Sequence, residues 1–266
     1  MSKILTPDNK DITLVVGDVH CGPGQNLRRA DWLGWAIRDI KPTRVVFIGD
    51  FLTLDSLSGW DKDKRKKMEG RRYAKDIDSG KEFLTRMYAA MQEHGYEVED
   101  WPDFILTEGN HEDRLWRYLD KDPSFSDHVD YRKDLGLNDL GWRVVNYKED
   151  FRHKGVCFTH IPITAAGRPI SRKDICGAAL DTYGVPVVFG HTHRLANAQL
   201  HRKGTAHLQE ALNVGCYFEH IDEYAQGSQT NYWRGLVVLD HYQTGRFGFR
   251  TIPMGELRKL YNGRTT

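Results

Sequence analysis

The chain has 266 residues, 39% of them hydrophobic, 28% charged and 11% aromatic, with a formal net charge of +1. That length and composition suit a folded chain with a sizeable core and exclude an intrinsically disordered one, while the small net charge excludes a global basic field, so any attraction to nucleic acid must come from local patches. Four cysteines, Cys21, Cys157, Cys176 and Cys216, stand far apart with no CxxC pair, which argues against a zinc ribbon or a disulfide scaffold and for a reducing, cytoplasmic setting.

Residues 1–7 lack the charged segment, apolar stretch and cleavage site of a secretion signal. No run approaches the roughly 20 apolar residues that span a bilayer, so neither export nor a membrane partner is expected. Strands are predicted over residues 12–17, 44–49 and 104–108, each a β-rich run that stops at a glycine or a polar motif. Helical patterns fill the gaps, over 25–40 and 71–94. Right-handed strand–helix–strand crossovers make such strands parallel and bring their C-terminal ends to one side, where ligands bind.

Beyond a short helix over 114–119, further strands are predicted over 143–147, 156–160, 185–190, 208–214, 235–240 and 245–252, with a helix in that half only over 172–183. Nine strands predict two stacked sheets. With no internal repeat and no Pro/Gly/Ser linker, the whole chain, 1–266, reads as one α/β domain.

Five blocks of metal-ligating residue types follow these strands: Asp18-Val19-His20, Gly49-Asp50, Gly109-Asn110-His111-Glu112, His160, and Gly190-His191-Thr192-His193. Asp18 and His20 stand two residues apart, so in an extended or looping segment both point towards one ion, and His191 and His193 repeat that spacing. Asp50 is placed to bridge two cations, Asn110 adds a neutral oxygen and His160 a nitrogen. This mixed oxygen and nitrogen set, without thiolates, suits Mn, Fe, Zn or Ni better than Ca, and catalysis better than structural zinc. A lone strand-end histidine is more often structural than a ligand. The order and spacing of all five blocks carry the signal, and His153 and His207 stand as alternatives to His160, which is followed by Ile161-Pro162.

Taken together the blocks resemble the calcineurin-like metallophosphoesterase superfamily, whose motifs read DxH, GD, GNH(D/E), H and GHxH. The resemblance runs from Asp18 to His193. It implies a four-layer α/β/β/α sandwich with two mixed β-sheets and a dinuclear, metal-dependent phosphoesterase. It further implies that Asp18, His20 and His193 bind one metal, that Asn110, His160 and His191 bind the other, and that Asp50 bridges them. His111 is similar to the family histidine that contacts the phosphate and helps protonate the leaving group. The implied cofactors are two divalent ions, Mn2+ first, with Fe, Zn, Ni or Mg as alternatives. Two ions roughly 3.5 to 4 Å apart can clamp a phosphoryl group, and a water whose pKa falls towards about 7 becomes the in-line nucleophile.

Thr53 stands where many relatives carry an acidic or amide residue, with Asp55 two positions on, and Gly49-Asp50-Phe51-Leu52-Thr53 departs from the GDxVDRG of the superfamily's protein phosphatases. Arg114 reaches either the phosphate or its neighbours Glu112 and Asp113. The GNHEDRL wording also resembles metallophosphoesterases of bacteriophage and bacterial genomes.

Segment 62–75 carries eight cations against Asp63 and Glu69, a local net charge of +6, and can overhang the site as a polyanion contact or form a solvated face. Trp60, Trp101, Trp116 and Tyr118 flank the motif loops as candidates for stacking a base, although core packing is the commoner use of such residues. Cys21 reads as a packing residue. The expected activity is hydrolysis of nucleotide or nucleic-acid phosphodiesters. A phosphomonoesterase acting on phosphoprotein or nucleotide is the alternative, and a non-catalytic binding module is the third reading. The sequence leaves oligomeric state open.

Overall fold

The computed structural model describes residues 11–93, 95–201, 203, 208–220, 231–243 and 245–263. The first half runs β1 (Ile12–Val16), α1 (Arg28–Ile40), β2 (Arg44–Phe47), α2 (Arg65–Met68), α3 (Tyr73–Gln92), β3 (Asp103–Thr107), α4 (Asp113–Leu119) and α5 (Tyr131–Asp134). The second half runs β4 (Arg143–Val145), β5 (Phe151–His153), β6 (Val156–Thr159), α6 (Ile175–Tyr183), β7 (Val187–Phe189), β8 (Leu195–His201), β9 (Leu208–Val214), β10 (Gly235–Gln243), β11 (Arg246–Pro253) and α7 (Met254–Tyr261).

Two mixed sheets result, one of six strands in the order β11-β10-β1-β2-β3-β4 and one of five in the order β5-β6-β7-β9-β8. Strands β1 to β4 are mutually parallel, with antiparallel β10 beside β1. In the second sheet β6, β7 and β9 are parallel, flanked by antiparallel β5 and β8. Period-two alternation sorts the side chains. Val15, Val46 and Ile105 face Phe158, Val188 and Leu212 in the core between the sheets, while Val16, Val45 and Phe47 pack on the layer holding Trp35, Phe83 and Leu257 of α1, α3 and α7. On the far side, Cys176, Ala179 and Leu180 of α6 cover Cys157, Val187 and Phe189. The layers are therefore α/β/β/α, as expected.

Eleven strands form among the described residues, not nine, and a helix absent from the sequence reading, α7, closes the chain. Strand β8 lies at a sheet edge and is largely exposed, so it carries no apolar alternation. Strand β5 has only three residues, Phe151 to His153. Helix α6 starts at Ile175 rather than 172, because Asp174 caps it by accepting the Gly177 N–H at 2.9 Å. Helix α3 begins after Arg72, whose backbone is extended, and residue 94 of the predicted span lies outside the described residues. Among the described residues no helix is long and apolar enough to cross a membrane.

Candidate metal centre

The loops after β1, β2 and β3 of one sheet meet those after β6 and β7 of the other, so the packing of the two sheets brings all five blocks together. Backbone bonds lock the first two loops: Val19 N and His20 N donate to Asp50 O at 3.1 and 2.8 Å. His20, Asp50, His191 and His193 all have left-handed backbones, with φ of 48°, 47°, 67° and 58°. Non-glycine residues are uncommon there, and such strain concentrates where side chains are aimed for function. Gly109 and Gly190 let the loops approach closely, since a Cβ at either would collide with a carboxylate oxygen, of Asp50 and of Asp18 respectively.

Asp18, His20, Asp50, His111, His160 and His193 are all buried. Asp18 Oδ1 accepts the His191 N–H at 3.0 Å, leaving Oδ2 at 3.0 Å from His193 Nε2, which lies 3.3 Å from His20 Nε2. Asp50 Oδ1 accepts the His111 N–H at 2.8 Å, and its Oδ2 stands 3.7 Å from His20 Nε2 and 3.5 Å from His160 Nε2. The donor atoms of Asp18, His20 and His193 form one compact group, and those of Asp50, His160 and His191 another, each within 4.8 Å. Asp50 thus reaches both.

The chemistry of this donor set fits cations. His160 Nδ1 donates to the Ile48 carbonyl at 2.7 Å, which aims its Nε2 into the site, where it faces Asn110 Oδ1 and His191 Nδ1, both at 3.1 Å. Acceptors gathered out of water repel unless something positive sits among them. Burial and the neighbouring His160 push His191 down to about 4, and burial with His111 lowers His20 well below the usual imidazole range, so both present lone pairs at neutral pH. Burial works against a charge on His160 too, but Asp50 and Asp18 outweigh it and raise its pKa. Burial alone would raise Asp50, yet the surrounding imidazoles, His160 first, hold it well below the carboxylate range.

His111 Nδ1 donates to the Thr53 carbonyl at 2.7 Å, and its Nε2 lies 3.2 Å from Arg114 Nη2 and 3.9 Å from Asp50 Oδ2. Arg114 pairs with neither Glu112 nor Asp113: Nη1 donates to the Thr53 carbonyl at 2.8 Å and to Asp55 Oδ1 at 3.2 Å, whereas Asp113 pairs with Arg117 at 2.8 Å. Glu112, fully buried, accepts the N–H groups of Asp50 (2.9 Å), Gly109 (2.8 Å) and Leu52 (2.9 Å). Its part as the tie between the second and third blocks is not legible from sequence, where it reads as one more acidic residue of the motif.

His160 is the histidine brought to the site. His153 binds Asp11 at 2.7 Å and Arg44 at 2.8 Å instead, and His207 lies outside the described residues. A cavity of about 790 Å3 opens over the centre, lined by His20, Asp50, Asn110, His111, His191 and His193 and also by Thr53, Asp55, Ser58, Trp60, Asp61, Lys64, Lys67, Arg71, Arg114, Thr192 and Tyr232. Of the four aromatic candidates only Trp60 is in that lining. Trp101 stacks on Tyr88 at 4.9 Å, Trp116 donates to Glu108 at 3.1 Å, and Tyr118 packs towards Phe125. Asp61, and Tyr232 edge-on to His193 at 4.6 Å, carried no motif signal. Cys21 is buried and its thiol is pushed up to about 12 by that burial, which makes it a packing residue.

The sequence model described as calcineurin-like phosphoesterase matches residues 13–195. The chain is 28% identical to the gene 54 protein of Mycobacterium phage D29 over 210 residues, which cover 76% of this chain and 78% of that protein. Among solved structures, wild-type Vps29 complexed with Zn2+ from Entamoeba histolytica is similar at 12% identity and a TM-score of 0.39, covering 91% of this chain and 98% of that one. Vps29 of Chaetomium thermophilum is similar at 10% identity and a TM-score of 0.37, covering 91% and 96%.

Proposed function

Because this chain belongs to the calcineurin-like phosphoesterase family, whose members are divalent-metal-dependent phosphoester hydrolases, we propose that it is a phosphodiesterase acting on nucleotide or nucleic-acid phosphodiesters. In this reading Asp18, His20 and His193 hold one cation, Asn110, His160 and His191 hold the other, and Asp50 serves both, with Mn2+ as the metal. When bound, the two cations neutralise charge on the phosphoryl oxygens and lower the pKa of a water towards about 7.

The chain's own groups do the rest. The attacking water joins its oxygen to phosphorus and gives up a proton to solvent, while the bond to the departing ester oxygen breaks and that oxygen keeps the electron pair. His111 Nε2, whose lone pair is left available by the Nδ1 bond to the Thr53 carbonyl at 2.7 Å, takes up a proton from solvent as the anionic substrate binds and passes it to the leaving oxygen. Arg114 Nη2, 3.2 Å from that nitrogen, turns towards the phosphate when substrate arrives. All four cysteines are buried and none is in a disulfide, which supports a reducing, cytoplasmic compartment.

The single observation that carries the diester reading is the cavity itself. It extends from the metal-ligand candidates to Trp60, Lys64, Lys67 and Arg71, and to Thr192 and Tyr232, at about 790 Å3. That gives room for a substituent on each of two phosphate oxygens, where a monoester has one. The test is hydrolysis of bis-p-nitrophenyl phosphate beside p-nitrophenyl phosphate, with Mn(II) or a chelator, in wild type and Asp50→Asn. Diester cleavage that needs metal and is lost in Asp50→Asn is expected. A clear preference for the monoester would replace this reading with a phosphatase, and full activity of a metal-replete Asp50→Asn enzyme would remove the two-cation assignment.

A further inference from the structure

Resting on the phosphodiesterase reading, we infer that segment 60–71 builds a second subsite in the same cavity, one that takes a further phosphate of a nucleotide substrate on Lys64, Lys67 and Arg71 and its base on Trp60. The substrate class this selects is a linear nucleotide or dinucleotide carrying a phosphate beyond the scissile one.

The geometry is that of a cation cluster organised around one acid. The carboxylate of Asp61, 8% exposed, has Lys64 Nζ at 2.9 Å, Lys67 Nζ at 3.2 Å and Arg71 Nη1 at 3.2 Å. Arg71 also donates to the Asp55 carbonyl at 3.1 Å, and the Asp55 carboxylate lies 3.9 Å from Arg71 and 3.2 Å from Arg114. The carboxylates of Asp55 and Asp61 thus organise four cations, Lys64, Lys67, Arg71 and Arg114, on this wall. Cations crowded on one carboxylate repel one another, and an incoming phosphate relieves that repulsion.

Trp60 precedes Asp61 and is 89% exposed while lining the cavity, an indole held in water beside these cations. Stacking a base on it buries apolar area without demanding a particular base. The subsite is tied to the catalytic loops, because Arg114 bonds both Thr53 and Asp55 on the way from Asp50 to Asp61. A cavity of about 790 Å3 falls within the range of small-molecule sites, roughly 300 to 1,000 Å3. That size favours a short nucleotide over a duplex, and a cyclic mononucleotide lacks the second phosphate.

The experiment compares two esters that both release p-nitrophenol, thymidine 5′-(p-nitrophenyl phosphate) and the same ester bearing a 3′-phosphate, with bis-p-nitrophenyl phosphate as reference, on the metal-loaded full chain. In wild type the 3′-phosphate is expected to raise kcat/KM by about 10-fold or more, the scale of one or two charged contacts. In Lys64→Ala/Lys67→Ala that ratio should fall towards one, and in Trp60→Ala both thymidine esters should lose about 10-fold relative to bis-p-nitrophenyl phosphate. Ratios taken within one protein cancel any loss of folded or metal-loaded enzyme. A wild-type ratio near one, or a ratio unchanged in the double variant, overturns the subsite and leaves the phosphodiesterase reading standing. Turnover of p-nitrophenyl phosphate alone sinks the phosphodiesterase reading instead. Calorimetry then decides the subsite: thymidine 3′,5′-bisphosphate must bind about 10-fold tighter than thymidine 5′-monophosphate and lose that margin in the double variant, and equal affinities refute it.

Discussion

Glu112 Oε2 accepts the backbone N–H of Asp50 at 2.9 Å, so the carboxylate of the third sequence block holds the main chain of the second. Burial and the nearby Asp50 charge raise the pKa of Glu112, while the bonds from Leu52 and Gly109 counter that rise. Substituting Glu112→Gln leaves one carbonyl oxygen for three backbone N–H groups and sets an amide NH2 against at least one of them. Leaving a buried N–H without an acceptor costs about 1 to 3 kcal/mol, so a destabilisation of about 2 kcal/mol is expected in urea unfolding. Because the Asp50 loop then loses its anchor, turnover should fall together with metal occupancy. An unchanged unfolding midpoint would mean that the tie is incidental.

How much of this was legible beforehand depends on the kind of interaction. Strands β1 to β3 announce themselves because runs such as Leu14-Val15-Val16 are buried on both faces and end at a motif. The convergence of Asp18, Asp50, Asn110, His160 and His191 follows from strand order once the motifs are aligned with strand ends. What sequence hides is pairing. A sum of charges over 62–75 cannot reveal that Asp61, just outside that window, gathers three cations, nor that the Glu112 side chain turns inward to backbone N–H groups. Left-handed φ at His20, Asp50, His191 and His193 is equally invisible, because these residue types announce no such backbone as glycine would. Edge strand β8 fails for a different reason: with little of it buried, it has no apolar pattern to read.

His160 and His153 are two of the three nitrogen donors weighed from sequence, and His207 lies outside the described residues. His160 Nε2 lies 3.5 Å from Asp50 Oδ2, whereas His153 is committed to Asp11 at 2.7 Å. His160→Ala should lower bound Mn(II) from two ions per chain towards one, with metal affinity at the remaining position down by about 10- to 100-fold as its neighbours lose order. His153→Ala should retain both ions. Elemental analysis after gel filtration reads this directly, and equal metal content in the two variants would reverse the assignment.

Arg114 bonds the Thr53 carbonyl, Asp55 and His111 Nε2 with one guanidinium. A lysine offers a point charge and cannot fork across three acceptors. Both Arg114→Ala and Arg114→Lys are therefore expected to lower kcat for bis-p-nitrophenyl phosphate by about 10- to 100-fold, comparable to other single general-acid and charge-stabilising losses. Metal content should stay at the wild-type value, since Arg114 touches none of the candidate ligands. Rescue by lysine would reduce the residue to a source of positive charge.

His241 offers a pH dependence well away from the metal centre. It is 5% exposed on β10, its Nε2 bonded to Thr13 Oγ1 at 3.0 Å and its Nδ1 without a hydrogen-bond partner. Burial pushes its pKa down to about 4 from 6.5; Asp11 opposes the shift, and His153, Arg44 and Lys154 reinforce it. A depressed pKa means that the folded state resists protonation. The histidine therefore costs nothing above pH 6.5, and stability is lost as the unfolded chain takes up the proton from 6.5 down to about 4. Integrated over that window the loss approaches about 3 kcal/mol as an upper bound. His241→Phe keeps a ring against Phe158 and Phe247 and removes the titration. The difference in unfolding free energy between wild type and His241→Phe, measured in urea at pH 7.5, 6.0 and 4.5, should move in favour of the variant as pH falls. A constant difference would mean that His241 titrates alike in the folded and unfolded chain, with the Asp11 carboxylate cancelling its burial.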